Sequence, residues 1–156
     1  RGPTEGLLVR GGDDSSSQLA AGRLVVLEPE SGEIRWTYEF DGPIGPSALG
    51  HETLYVAIYE SPNDNSRVHA MDLNEQRPDW TQTLDVGMGL VTATDEAVYV
   101  AGADGIQALA ASDGRRLWQR FAGQYAGTPV IVGDTVYAGI SESGGENTRI
   151  AAIHEQ

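Results

Sequence analysis

An all-β fold, a β-propeller of four-stranded antiparallel blades, is what this sequence predicts, and three observations carry the prediction. An eleven-residue phrase recurs as Val26-x-Glu28-x-x-Ser31-Gly32-x-x-x-Trp36, Ala70-x-Asp72-x-x-Glu75-Gln76-x-x-x-Trp80 and Ala108-x-Ala110-x-x-Asp113-Gly114-x-x-x-Trp118, and a fourth copy begins at Ala152-x-His154. The Trp-to-Trp spacings of 44 and 38 residues fall in or near the roughly 40–50 range of propeller blades. Between them the apolar residues form short runs of strand chemistry, Leu54–Ile58, Val98–Ala101, Val130–Val132 and Val136–Ala138, rather than recurring at helical spacing.

The elements follow in chain order. A partial blade is expected over 5–40, complete blades over 44–84 and 88–121, and a closing partial blade over 127–156, all in one partial propeller domain, 1–156. Two-residue turns at His51-Glu52, Asp95-Glu96 and Gly133-Asp134 join the first two strands of a blade as tight hairpins. Outer strands are expected at Pro78–Leu84 and Arg116–Phe121, each entered through the turn of the repeated phrase. In the last copy, strands are expected near Thr128–Val132, Thr135–Ile140 and Arg149–Ile153, without a Trp-bearing outer strand. An aromatic residue, Tyr55, Tyr99 or Tyr137, stands 19 residues after each Trp. Length variation is therefore confined to one loop, 60–66, 103–104 or 141–148. About three to four blades are present, against roughly seven or eight in a full ring.

Gly45, Gly89 and Gly127 each stand nine residues after a Trp. A glycine at the entry to an inner strand suits crowding around a central axis, where a side chain would meet those of other blades. The residues beside these glycines, Ile44, Met88 and Ala126 with Pro43, Gly87 and Tyr125, are then the candidates to face a channel. They are small or apolar, which suits a plugged axis or a hydrophobic contact more than proton transfer.

The chain has 156 residues, 40% of them hydrophobic, enough to bury a core. Its formal net charge is -13, and all 10 basic residues are Arg. Such a surface repels phosphate backbones and anionic membranes, so nucleic-acid binding is excluded. A large like-charge excess of this kind suits concentrated salt, which screens self-repulsion, so a halophilic source is expected. There is no cysteine, hence no disulfide and no thiolate metal site. No apolar run approaches the ~20 residues of a spanning helix, and no membrane insertion is expected. These features leave the compartment open, with an exported location favoured. A start at Arg1-Gly2-Pro3 is consistent with a processed or partial chain.

The repeated phrase resembles the tryptophan-docking motif, Ala-x-Asp-x-x-Thr-Gly-x-x-x-Trp, of the quinoprotein-type (pyrroloquinoline-quinone-like) propellers, usually eight-bladed. Residues 22–40, 67–84, 105–121 and 149–156 carry the resemblance. It implies that Trp36, Trp80 and Trp118 dock on the next blade's turn glycine, which makes Gly32, Gly114 and the acidic Asp72 structural docking residues. The copies also depart from the motif. Gln76 stands where the glycine belongs, Ala110 replaces the acidic residue, and Val26 and Glu28 replace Ala and Asp. His154 occupies the acidic slot of the fourth copy and is expected to take over the hydrogen bonding of Asp72.

The enzymes of that family hold pyrroloquinoline quinone over Ca²⁺ beneath an adjacent disulfide, which this cysteine-free segment cannot form. Asp13-Asp14 and Asn63-Asp64-Asn65 offer oxygen ligands, but neither matches the spacing of a calcium loop, and both suit solvated loops better. His51, His69 and His154 fall at unrelated blade positions, so no zinc site is read. The expectation is a non-catalytic scaffold propeller that binds a protein partner, with no cofactor, metal or catalytic residue in this segment. The alternative is a piece of a quinone- and calcium-dependent dehydrogenase. Two copies could also associate edge to edge and so cover open strands.

Overall fold

The computed structural model describes residues 21–50, 52–59, 66–85, 87, 89–142 and 147–154. Asp13-Asp14, His51, Asn63-Asp64-Asn65, Met88 and the segments before 21 and after 154 lie outside the described residues.

The described residues are all-β. The first sheet pairs β1 (Arg23–Leu27) with β2 (Ile34–Glu39). The second has the order β3 (Ile44–Gly50), β4 (Thr53–Tyr59), β5 (Ser66–Asp72) and β6 (Arg77–Leu84). The third is β7 (Leu90–Ala93), β8 (Ala97–Gly102), β9 (Gly105–Ala110) and β10 (Arg116–Arg120). In the fourth, β11 (Tyr125–Ala126) and β12 (Val130–Val132) lie along one edge of β13 (Thr135–Ser141), and β14 (Thr148–His154) lies along the other. All neighbours are antiparallel, and the sheets are consecutive blades, about three to four in number.

β11 and β12 are one inner strand interrupted at Pro129, which has no N–H to give the ladder. Pro46 likewise falls where the pairing of β3 with β4 slips between Ile44 and Ser47. The sequence-based strand at Thr128–Val132 thus begins two residues later and has a separate two-residue piece before it. Gly133 adopts φ +57 in its two-residue turn, the left-handed geometry that tight hairpins need.

The middle strands of the second and third blades lie between neighbouring blades and are largely buried on both faces. Every residue of β8 is buried, as are all but the last of β9. That is why their apolar residues run on continuously. The outer strand β6 alternates, with exposed Arg77, Asp79, Thr81 and Thr83 between less exposed residues. Hydrophobic clusters form between blades. Tyr55, Ala57, Val68, Ala70 and Leu84 of the second blade pack with Val91, Val98, Val100 and Leu109 of the third. Leu24, Val26 and Phe40 pack with Ile44, Val56, Ile58 and Met71 across the preceding junction.

Candidate functional site

The residues of the repeated phrase meet at the blade junctions. Each phrase ends its third strand in the same turn, closed by Gly32 N to Glu28 O, Gln76 N to Asp72 O and Gly114 N to Ala110 O at 2.8–2.9 Å. The residue that closes it is left-handed in all three copies, with φ of 70° at Gly32, 59° at Gln76 and 72° at Gly114. Gln76 therefore keeps the glycine's conformation. A left-handed L-residue costs roughly 1–2 kcal/mol, and glycine gives back about 0.5–1 kcal/mol of that in chain entropy. Gln76→Gly is expected to stabilise the fold by about 0.5–1 kcal/mol, read from a denaturant midpoint.

Side chains close the same turn by different means. Asp72 Oδ1 accepts from Asn74 N at 2.6 Å and Glu75 N at 2.8 Å. Asp113 Oδ1 accepts from Arg115 N at 3.0 Å, and Ser31 Oγ from Glu33 N at 3.2 Å. In the third copy the turn's acceptor has moved three residues along, from the Ala110 position to Asp113. His154 does something else. It aligns with Asp72 in register, opposite Thr135 as Asp72 is opposite Thr53, and its Nδ1 shares a 2.9 Å hydrogen bond with Thr135 Oγ1. Its imidazole reaches across to its own blade's β13.

Every outer strand carries one extra residue just before its Trp. Trp36 pairs with Val26 and Ile34 with Leu27, which leaves Arg35 over. Asp79 and Leu117 are left over in the same way before Trp80 and Trp118. A bulge there adds local twist and re-aims the next side chain.

At the junction of the second and third blades, the Trp80 Nε1–H donates to Ala111 O at 2.9 Å. A Cβ on Gly114 would meet the Trp80 ring at 2.5 Å, so the indole lies directly on the glycine. The Tyr55 ring completes the pocket at 5.8 Å between centroids, and Tyr99 stands 6.0 Å from Trp118 in the next blade. Trp36 packs against the cluster that contains Met71 and Val56 of the second blade. Trp118 packs against the cluster that contains Val136 of the fourth. The turn that would receive Trp118 in the same register begins at residue 155, outside the described residues.

Burial raises the Tyr55 phenol above its ordinary value, against a smaller opposing effect of a hydrogen bond with Thr53 and with added effects of Asp79 and Asp95. A raised acid binds its proton more tightly in the folded chain, so its contribution is whole below pH ~10 and falls as pH rises beyond it. Tyr55→Phe is expected to flatten the alkaline loss of stability, seen in melting temperatures from neutral pH to pH ~11.

Ion pairs cross the junctions as well: Arg67 with Asp41 at 3.3 Å, and Arg116 with Asp85. A hydrogen bond from its own backbone N–H, and then Arg67, hold the Asp41 carboxyl below the usual carboxylate value, so the pair persists until pH falls through that lowered value. Thr92 Oγ1 donates to Pro129 O at 2.9 Å across the next junction. Sequence reasoning missed these pairs and the Ala111 acceptor. One signal was available, since Asp41 and Asp85 each stand five residues after a Trp.

Gly45 and Gly89, at the entries of their inner strands, are crowded from within their own blades. A Cβ on Gly45 would meet the Tyr59 ring at 2.6 Å, and one on Gly89 would strike the Val100 side chain. At Gly127 the nearest atom is Gly139 O at 3.8 Å, ordinary contact distance. These contacts come from within the blade. Ile44 and Ala126, expected to face a channel, are buried in the inter-blade clusters. Tyr125 is 53% exposed, on the short β11.

Among the described residues no group of three or more His, Cys, Asp or Glu could hold a metal ion. No helix among them is long and apolar enough to cross a membrane.

Residues 20–154 match the family model described as outer membrane protein assembly factor BamB. Among solved structures, BamB from Moraxella catarrhalis is 24% identical, with a TM-score of 0.66 over 93% of this chain and 45% of its own. Hsv2 from Kluyvelomyces marxianus is 14% identical, with a TM-score of 0.51 over 86% of this chain and 45% of its own. The chain therefore spans less than half the length of either structure. No curated protein matches it.

Proposed function

Because the chain belongs to the family described as outer membrane protein assembly factor BamB, we propose that it is a non-catalytic scaffold propeller that binds protein partners and is adapted to concentrated salt. The supporting observation is how the motif's side chains are used. Trp80 and Gly114 hold one blade to the next, and Asp72 closes its own turn. A rigid stack of this kind presents loops, and the connection between the second and third strands varies from the two residues Ala103-Asp104 to longer segments. The family takes its description from an outer membrane protein assembly factor, and an exported role in protein assembly is the form of scaffold that fits best.

Two measurements test the proposal. Cross-linking of the chain in molar KCl, followed by mass spectrometry, should yield a stoichiometric protein partner. Titration with pyrroloquinoline quinone and Ca²⁺, followed by absorbance and dye-linked alcohol oxidation, should show neither saturable binding nor turnover. Tight binding with turnover would establish the dehydrogenase alternative instead.

The salt adaptation has its own test. At a net charge of -13 the chain repels itself most in dilute buffer, where the screening length is about 30 Å at 0.01 M salt against about 3 Å at 1 M. The denaturation midpoint is expected to rise steadily with KCl. A midpoint insensitive to salt over that range refutes the adaptation.

A further inference from the structure

The outer edge of the third blade differs from its two counterparts in charge and in the residue its bulge displays. From turn to strand end, residues 28–39 carry four glutamates against Arg35, and residues 72–84 carry Asp72, Glu75 and Asp79 against Arg77. The same stretch of the third blade, 110–120, carries Asp113 alone against Arg115, Arg116 and Arg120. The extra residue before the Trp is charged in the first two copies, Arg35 and Asp79, and is Leu117 in the third. Leu117 is 42% exposed, and β10 is the last strand of its sheet.

These arginines also stand apart in their partners. Among the described residues, Arg23, Arg35, Arg67, Arg77 and Arg149 each meet a carboxylate, and Arg116 meets Asp85 of the preceding blade. Arg115 and Arg120 meet none there, in a chain with 23 Asp and Glu residues against 10 arginines. The Arg120 guanidinium lies 5.8 Å from the centre of the Trp118 ring and donates to Gln119 O at 2.9 Å, which holds it beside the strand. The second blade has a described blade on each side, and there Arg77 and Asp79, the equivalents of Arg115 and Leu117, are exposed as well. Exposure at this edge is therefore a property of the blade.

We propose that the outer edge of β10 docks an acidic, extended segment of a partner protein, with an apolar side chain on Leu117 and carboxylates on Arg115 and Arg120. This site rests on the scaffold reading and gives its partner a chemistry. At about 0.15 M salt the screening length is about 8 Å, so the nearby arginines outweigh the distant carboxylates of the chain. A guanidinium without a carboxylate partner offers a forked, two-bond contact to one. Leucine adds apolar contact that salt does not screen. The bulge at Leu117 interrupts the edge and works against strand addition, so recognition goes through side chains. Two unpaired cations around a leucine are too few to hold a nucleic-acid backbone against the net charge of -13.

Fluorescence anisotropy with a labelled Glu-Glu-Leu-Glu-Glu peptide, in KCl from about 0.15 M to about 1 M, tests the site. The parent chain should bind the peptide saturably. Arg115→Glu should weaken binding on the order of tenfold, and Leu117→Ser should weaken it at every salt concentration. Arg77→Glu, the same change at the equivalent position of the second blade, should leave binding unchanged. All three positions are exposed, and circular dichroism melts matching the parent would show that the variants fold. Absence of saturable binding overturns the proposal, as does equal binding of a peptide with Gln in place of each Glu, or of the peptide by Arg115→Glu. A single-stranded oligonucleotide that displaces the peptide and binds more tightly also overturns it, in favour of a phosphate site. Partner cross-links that map to another blade and survive Arg115→Glu overturn this site and leave the scaffold reading standing.

Discussion

Trp80→Ala lowers the unfolding free energy by about 3 kcal/mol, the low end of the range for removing a large aromatic side chain, because the indole is only partly buried. The loss has three parts. The ring leaves the face of Gly114, the Tyr55 ring loses its neighbour, and Ala111 O loses the Nε1–H donor. In a chain of this length that corresponds to a fall in melting temperature of roughly 6–12 °C. Trp80→Phe loses the donor and the part of the six-membered ring that lies on Gly114 but keeps an aromatic ring beside Tyr55, so its cost falls between the roughly 1 kcal/mol of one hydrogen bond and that of Trp80→Ala. A melting curve that does not move with Trp80→Ala would show that this junction is held by the strand core alone.

Gly114→Val strikes the same contact from the other side. Two penalties add: a β-branched residue held at φ +72, and a side chain driven into the indole at 2.5 Å from the first carbon onward. Left-handed strain of roughly 1–2 kcal/mol and overpacking of roughly 1–3 kcal/mol give a loss of about 2–5 kcal/mol. Gly32 makes the informative control. It has φ +70 but no atom within 4 Å of an added Cβ, so Gly32→Ala should show the strain without the clash. Equal losses for Gly32→Ala and Gly114→Ala would mean that the indole contact contributes nothing. Urea denaturation of the pair decides it.

The double mutant Trp80→Ala with Gly114→Val sharpens both expectations. Once the indole is gone the valine meets no ring, so the two losses should fall short of their sum. Strict additivity would show that the two residues do not act on one contact.

Much of this was visible before any coordinate. The Trp spacing marks the blades, and the continuous apolar run Val98–Ala101 marks a strand buried on both faces, because a blade lies between two others. The left-handed turn was legible at Gly32 and Gly114. At Gln76 the sequence argues against the conformation that the chain adopts there, since the turn is imposed by the surrounding ladder rather than by the residue. The break at Pro129 could be foreseen from proline chemistry and was not. The His154 bond to Thr135 could not be foreseen, because it depends on which strand lies across from the histidine.

The sequence by itself determined the all-β class, the blade period, the turns and the place of each Trp. Those properties depend on side-chain periodicity and turn chemistry over a few neighbouring residues. Tertiary structure alone decided that the Trp80 Nε1–H finds Ala111 O, that Asp41 and Asp85 tie to arginines of the next blade, and that Tyr59 and Val100 crowd Gly45 and Gly89. Each of these depends on the angle and distance at which one sheet stacks on or folds beside another. No period of the chain encodes that angle, which the packing of the whole set of buried side chains settles at once.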